Sequence, residues 1–314
     1  MAIALDILAT AENFDEAAYL AANPDVADAY RRGLIKSARH HFESHGRQEK
    51  RRLRLRRSLA EARREKLGRL EPFLKLDMAH TRRGEKYDFL SEALRRETGV
   101  VETTASSAHE YSGHTLDAIR EFSDGLILDC GAGQRPTYHA NVVNYEIMDY
   151  ETTDILGVGE ALPFKNNAFD AVFSLSVLEH VRDPFACRDE IARVLKPGGR
   201  LICCVPFLQP LHGYPHHYYN MTGQGLRALF ERHLEIDEHL VGGGGHPIWS
   251  LTWIVRSWAD GLDGSARKQF LKMRLSDLLA EPTVLLDRPW ARELSNEKNF
   301  ELASTTLLIA HKAR

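Results

Sequence analysis

The sequence predicts an α/β fold: a doubly wound parallel sheet carried behind a small helical module at the N-terminus. Three observations lead there. From Gly125 onward, short apolar runs of strand length alternate with amphipathic stretches of helix length, the order that builds a parallel sheet with helices on both faces. The first run, LILDC at 126–130, passes at once into Gly131-Ala132-Gly133. Glycines there let the backbone turn sharply at a strand's carboxyl end and approach a ligand with no Cβ in the way. The third observation is compositional. In 314 residues, 43% are apolar and 27% charged, enough for a sizeable core and unlike a disordered chain.

Several classes drop out on the same arithmetic. Cys130, Cys187, Cys203 and Cys204 form no C-x-x-C pair, so neither a disulfide framework nor a zinc knuckle is expected. The opening MAIALDILATAEN has no basic n-region and carries an Asp at position 6, so it does not read as a signal peptide. No run of about 18 apolar residues exists to span a membrane. The expectation is a cytoplasmic protein.

Along the chain, residues 1–50 read as a small helical module. Phe14, Ala18 and Leu20 precede the breaker pair Asn23-Pro24, and Val26, Ala29 and Tyr30 resume helical spacing. His41 and His45 share a helix face, a spacing metal sites use, yet without a third ligand they read as surface or packing residues. Residues 51–75 read as a basic linker helix. Within 47–69 eleven Lys/Arg stand against three Glu, a local +8 in a chain whose net charge is −3. Such a segment can meet nucleic acid, lipid or protein. Without interleaved aromatics to stack on bases, a solvated helix is the simpler reading. A helix is expected at 84–97 and another from 112 to 122.

The remaining pattern is more specific. NVVNYEI (141–147) reads as a second strand with Glu146 near its end, where a carboxylate can hold two ribose hydroxyls. Pro136 removes the last glycine of a G-x-G-x-x-G turn, which argues against a seated pyrophosphate. Then follow GEALPFKNNAFDAVFSLSVLEHV and RDPFACRDEIARVLKPGGRLICCVPF. The L-P-F, F-D-x-V, L-E-H-V and R-V-L-K-P-G-G motifs, in this order over residues 122–240, resemble the class I S-adenosylmethionine-dependent methyltransferases. The N-terminal Y-L-x-x-N-P-D-V and H-x-x-x-H-G-R-x-E-x-R segments resemble a short module found beside bacterial glycan-biosynthesis enzymes.

The resemblance implies a Rossmann-like, seven-stranded sheet whose last strand is antiparallel, with S-adenosyl-L-methionine as cofactor. It implies that Asp129, Gly131 and Gly133 lie against the methionine part of the cofactor. Glu146 holds the ribose, and Ser174 and Leu175 face the sulfonium. Where many relatives place an adenine-binding Asp, this chain has Val158; backbone at Gly159-Glu160, or Asp154, is the expected substitute. Lys196-Pro197-Gly198-Gly199 reads as a helix stop, and Glu179-His180 as packing more than pocket.

Residues 201–226 contain no Asp, Glu, Lys or Arg in 26 consecutive positions, as a water-poor acceptor pocket at the carboxyl edge requires. Its loop carries His212, His216 and His217 beside Tyr214, Tyr218 and Tyr219; the three histidines are the candidate catalytic bases. They have the spacing for zinc but lack a convincing fourth ligand, and no metal is expected. Residues 234–241 would be the sixth strand and 304–312 the seventh. The insertion at 242–303, with Trp249, Trp253 and Ile254 at helical spacing, would be a lid or a packing element. The domain from 76 to 314 thus reads as a methyltransferase acting on an oxygen of a small molecule or surface-glycan sugar, with a protein partner allowed for at the N-terminal module. A non-catalytic scaffold in glycan assembly stands beside that reading. So does a nucleic-acid methyltransferase, although the chain has no D/N-P-P-Y/F motif.

Overall fold

The computed structural model describes residues 2–101, 109–213, 216–242 and 245–304. Two sheets organise them. The small one has the order β2-β1-β6, with β1 at Ala2–Leu8, β2 at Arg52–Ser58 and β6 at Tyr138–His139. Between β1 and β2 the chain forms helices α1 (Glu16–Ala22), α2 (Pro24–Arg31) and α3 (Ala38–His41). Asp15 caps α1 by accepting from the Ala18 amide, and Pro24 opens α2, where its missing N–H costs nothing. Tyr19, Val26, Phe42 and Leu53 form the core of this module.

The large sheet has the order β10-β9-β5-β7-β8-β4-β3. Its strands are β3 (Thr81–Arg83), β4 (Lys86–Asp88), β5 (Ile127–Cys130), β7 (Val142–Glu146), β8 (Ile155–Leu156), β9 (Phe169–Leu175) and β10 (Leu195–Cys204). All neighbours pair in parallel except β3 with β4. Helices cover both faces: α4 (Leu59–Leu70), α7 (Pro184–Val194) and α8 (Gly223–Phe230) on one, α6 (His114–Glu121) on the other. Helix α5 (Glu92–Thr98) lies between β4 and α6 in sequence. The strand alternation is visible in the packing. Leu128 and Cys130 join the α4/α7 face, whereas Ile127 joins the α6 face.

The expected α/β class with seven mostly parallel strands is therefore present, with different members at one edge. No strand forms at 234–241, and 304 is the last described residue before the segment expected as the seventh strand, which lies outside the described residues. The antiparallel edge comes instead from β3 and β4, and β4 falls where the sequence suggested one long helix from 84 to 97, of which α5 is the helical part.

The basic segment is the larger correction. Residues 52–58, RLRLRRS, form β2 and not part of a linker helix; their two-residue alternation matches β1 in antiparallel register. The module is thus helical only between these two strands. Nor is all of the positive charge left in solvent, although Arg47, Lys50, Arg54, Arg64 and Arg69 are exposed. Arg52 is buried and donates to the carbonyl of Asp6 and to Asn141, and Arg54 pairs with Asp6 at 2.8 Å. From α4, Arg63 and Lys66 reach the buried Asp154, and Arg69 donates to the carbonyls of Asp124 and Gly125. The segment is the buttress that joins module to sheet, and β1 pairing with β6 extends the same joint.

Beyond β10 the described chain is helical, with α9 at Pro247–Asp260 and α10 at Gly264–Lys272. Ala259, Leu262, Ala266, Phe270 and Trp290 give this region its own small core. Among the described residues no helix is long and apolar enough to cross a membrane.

Candidate functional site

Strand order reverses at β5: β7 and β8 lie to one side of it, β9 and β10 to the other. A crevice forms outside the carboxyl ends of strands at such a switch point, and the glycine turn is there. Gly131 has φ +88° and Gly133 φ +61°. A Cβ on Gly131 would stand 2.4 Å from the Val177 side chain, so position 131 requires glycine on both conformational and steric grounds.

Glu146, at the end of β7, braces this turn. One carboxylate oxygen accepts from the Gly133 amide at 2.7 Å and the other from the Ile147 amide at 2.8 Å. Burial pushes its carboxyl up from the ordinary range, against these amide bonds, which favour the charged form. Oε1 also takes a longer bond from the Met148 amide at 3.4 Å, so it is Oε2 that retains a lone pair for a ligand hydroxyl.

Asp129 sits at the floor, fully buried. Its Oδ2 accepts from the Tyr111 hydroxyl at 2.5 Å and from Arg135 Nε at 2.9 Å and Nη2 at 2.7 Å, while Oδ1 has no protein partner. Arg135 also lies over the Tyr111 ring. Tyr111 and Arg135 were not among the expected site residues. A lone arginine after a glycine turn carries no pattern that would have singled it out. Ser174 is buried near the end of β9 and Leu175 is half-buried there.

The expected adenine substitutes divide. Asp154 is wholly enclosed, its oxygens accepting from Lys66, Arg63, Tyr138 and the Asn144 amide. That corrects the expectation that it contacts a base. Val158 is buried, and its carbonyl accepts from the Tyr145 hydroxyl. Gly159 packs against Cys187 Sγ, 2.9 Å from where a Cβ would be.

The loop after β10 returns to the same edge. The Tyr218 amide donates to the Glu179 carbonyl at 2.6 Å, which fastens the loop onto the turn after β9. The three expected histidines do three different things. His216 donates from Nε2 to the Gly99 carbonyl at 3.0 Å. His217 has both nitrogens engaged: Nδ1 accepts from the His212 amide and Nε2 donates to Asn220 Oδ1. His212 donates from Nδ1 to the Pro210 carbonyl at 2.9 Å, which leaves its Nε2 lone pair free. Its ring lies 5.1 Å from that of Trp253 on α9, so the insertion forms a wall of this loop.

His212 also meets two residues read from the sequence as packing. Its ring is 5.5 Å from that of His180, and Glu179 is the neighbour of both. Glu179 is fully buried, neither carboxylate oxygen has a hydrogen-bond partner, and burial pushes its carboxyl up to about 8. Burial likewise holds His180 and His212 below the ordinary histidine range.

Residues 128–203, from β5 to β10, match the family model described as a methyltransferase domain. The cofactor this domain implies is S-adenosylmethionine. The chain is 33% identical over 120 residues to a demethylmenaquinone methyltransferase of Renibacterium salmoninarum, covering 38% of this chain and 44% of that protein. It is 52% identical over 99 residues to the uncharacterized protein YafE of Escherichia coli strain K12, covering 32% and 38%. It thus spans less than half the length of these relatives. Among solved structures, a methyltransferase from Thermotoga maritima, titled a possible histamine N-methyltransferase, is 19% identical with a TM-score of 0.27, covering 34% of this chain and 62% of that one.

Proposed function

We propose that this protein is an S-adenosylmethionine-dependent methyltransferase acting on an oxygen of a small molecule or a surface-glycan sugar. The observation that carries the reading is the coincidence of the methyltransferase-domain match with a glycine turn at the switch point, backed by the Glu146 carboxylate. Support for the cofactor at this turn comes from the left-handed backbone at Gly131 and Gly133, which presents main chain without a Cβ at the switch point. Glu146 Oε2, which accepts from the Gly133 amide, has a lone pair left for a ribose hydroxyl.

When bound, the cofactor supplies an electrophilic methyl group on a sulfonium. The chain's own work is alignment, since displacement at carbon requires the acceptor oxygen in line with the departing sulfur. Glu146 and the Gly131–Gly133 backbone hold one side. The charge-free loop with His212, walled by Trp253, holds the other and keeps water from the reacting oxygen. Of the three loop histidines, the free Nε2 of His212 makes it the residue for contact with the acceptor. His216 and His217 position the loop. A sugar or other polyol as acceptor is supported by the resemblance of the N-terminal segment to modules beside glycan-biosynthesis enzymes, and by the hydroxyls and imidazoles of the loop.

The experiment is a calorimetric titration with S-adenosylhomocysteine, followed by transfer of labelled methyl groups to a panel of saccharides. Saturable one-to-one binding is expected, weakened by at least about 100-fold in Gly131→Val, since valine brings both a forbidden φ and a clash. A folded protein that binds no S-adenosylhomocysteine would remove the reading and favour the scaffold. Binding without transfer to any saccharide or small hydroxylated acceptor would remove the acceptor assignment.

A further inference from the structure

We infer that Glu179, His180 and His212 form a binding site for a divalent transition metal ion, with zinc as the reference ion. One atom from each residue contributes: a Glu179 carboxylate oxygen and the two Nε2 atoms. The three potential ligand atoms lie within 4.8 Å of one another, and His180 Nε2 stands 3.8 Å from Glu179 Oε1. Tetrahedral zinc with bonds of about 2.0–2.1 Å holds its ligand atoms about 3.4 Å apart, so a bound ion draws the cluster together by at most about 1.4 Å.

The hydrogen bonds around the cluster carry the argument further than proximity does. His180 Nδ1 lies 2.7 Å from the His216 carbonyl and His212 Nδ1 lies 2.9 Å from the Pro210 carbonyl. A carbonyl only accepts, so both rings must carry their proton on Nδ1. The lone pairs are therefore on Nε2. Metal-ligating histidines are held in this way, one nitrogen donating to a backbone carbonyl while the other coordinates. Two rings locked in the same tautomer beside one carboxylate, His180 with its acceptor Nε2 3.8 Å from Glu179 Oε1, are poised for a cation.

Glu179 supplies the second, independent observation. It is fully buried, yet neither oxygen accepts a hydrogen bond from the protein. Buried carboxylates are ordinarily paired, hydrogen-bonded or metal-bound, because desolvation without compensation is costly. The backbone nevertheless holds this one in place. The amide of Tyr218 donates to the Glu179 carbonyl, and Gly213, at φ +77°, lets the loop lie flat on the His180 ring. A Cβ there would stand 2.3 Å from His180 Cε1. His217 is excluded from the ligand set because both its nitrogens are engaged. That leaves three protein ligands and at least one open position for water or a substrate oxygen, the arrangement of reactive and not of closed structural zinc sites.

Val177, which abuts Gly131, is only two residues from Glu179, so the site adjoins the cofactor turn. The metal's role, holding an acceptor oxygen beside that turn in place of a direct contact from His212 Nε2, rests on the methyltransferase reading; the binding itself does not. Neither the His41/His45 pair nor the three loop histidines make a ligand set by themselves. The missing ligands come from the strand β9 side of the crevice.

The test uses full-length, tag-free protein stripped with a chelator. Zn2+ is titrated by calorimetry and Co2+ by visible absorption, and the same samples are titrated with S-adenosylhomocysteine. One Zn2+ per chain and a Co2+ spectrum of low coordination number are expected. His212→Ala, on a loop and harmless to folding, and the isosteric Glu179→Gln each weaken Zn2+ by at least about 100-fold. His41→Ala, which alters the distant His41/His45 pair, leaves it unchanged. Protein that binds S-adenosylhomocysteine but takes up no Zn2+ overturns the site. So does uptake lost in His41→Ala and kept in His212→Ala. If Zn2+ binds as expected and S-adenosylhomocysteine does not, the metal site stands and the methyltransferase reading falls.

Discussion

Asp154 and Glu179 are both carboxylates with no solvent exposure, and the protein treats them in opposite ways. Every side of Asp154 is filled: Lys66 at 2.8 Å, Arg63 at 3.3 Å, the Asn144 amide at 2.9 Å and the Tyr138 hydroxyl. The chain supplies nothing to the Glu179 carboxylate. Asp154 lies where α4 docks on β7, far along the joint between module and sheet. Glu179 lies at the carboxyl edge, facing histidines locked for acceptance. A satisfied buried charge fixes geometry, whereas an unsatisfied one stores an unmet demand that a ligand can answer. The difference separates the part of the molecule that holds shape from the part that reacts.

The largest expected effect breaks the satisfied side. Asp154→Asn leaves Lys66 and Arg63 buried without their counter-charge. The resulting loss is about 3–5 kcal/mol, read as a shift in the urea midpoint at unchanged slope. A loss below about 1 kcal/mol would mean that the network is ornamental to the fold. The unsatisfied side responds with the opposite sign. Glu179→Met, in metal-free protein, removes a carboxylate with no partner and retains its volume, so stability rises by about 1–2 kcal/mol. A loss of similar size would show that Glu179 has a structural role after all, and the contrast between the two carboxylates would collapse.

Much of the central sheet was legible because its strands are buried on both faces and read as unbroken apolar runs. LILDC, NVVNYE and FDAVFSL became β5, β7 and β9. The edge was not legible for the same reason in reverse. Strands β3 and β4, TRR and KYD, are three residues each, β3 exposed throughout and β4 burying Tyr87 and Asp88 side by side, so no periodicity marks them. RLRLRRS was misread because arginine at an inward strand position looks identical to a solvated arginine until its partner is known. Asp6, 46 residues away in sequence, is that partner for Arg52 through its carbonyl. In the site, Gly131 and Glu146 were visible as a local pattern. The Glu179–His180–His212 cluster was not, because it joins residues more than 30 positions apart and the decisive fact, two ring protons aimed at carbonyls, belongs to the folded loop. His212, His216 and His217 were one motif in the sequence and are three separate roles in space.

An effect no larger than that of Glu179→Met, and confined to low pH, sharpens the comparison from a third buried group. His139 on β6 is buried among Arg52, Arg54, Lys66 and Arg135, with Nδ1 lacking a hydrogen-bond partner. Burial first, and then these cations, hold it well below the ordinary histidine value of 6.5. The folded state thus refuses a proton that the unfolded chain takes up below about pH 6.5. With more protons bound in the unfolded state, stability falls as pH drops through that range and is fully present above it. For one group the loss is at most about 1.6 kcal/mol between pH 6.5 and 5. Urea titrations of wild type and His139→Asn across this range would isolate it, the variant having the shallower pH dependence. Equal slopes would mean that neither burial nor these cations keeps a proton off His139 in the folded state. In that case the joint would accept a further positive charge, and its cations would be neutralised in their field as well as in their pairing.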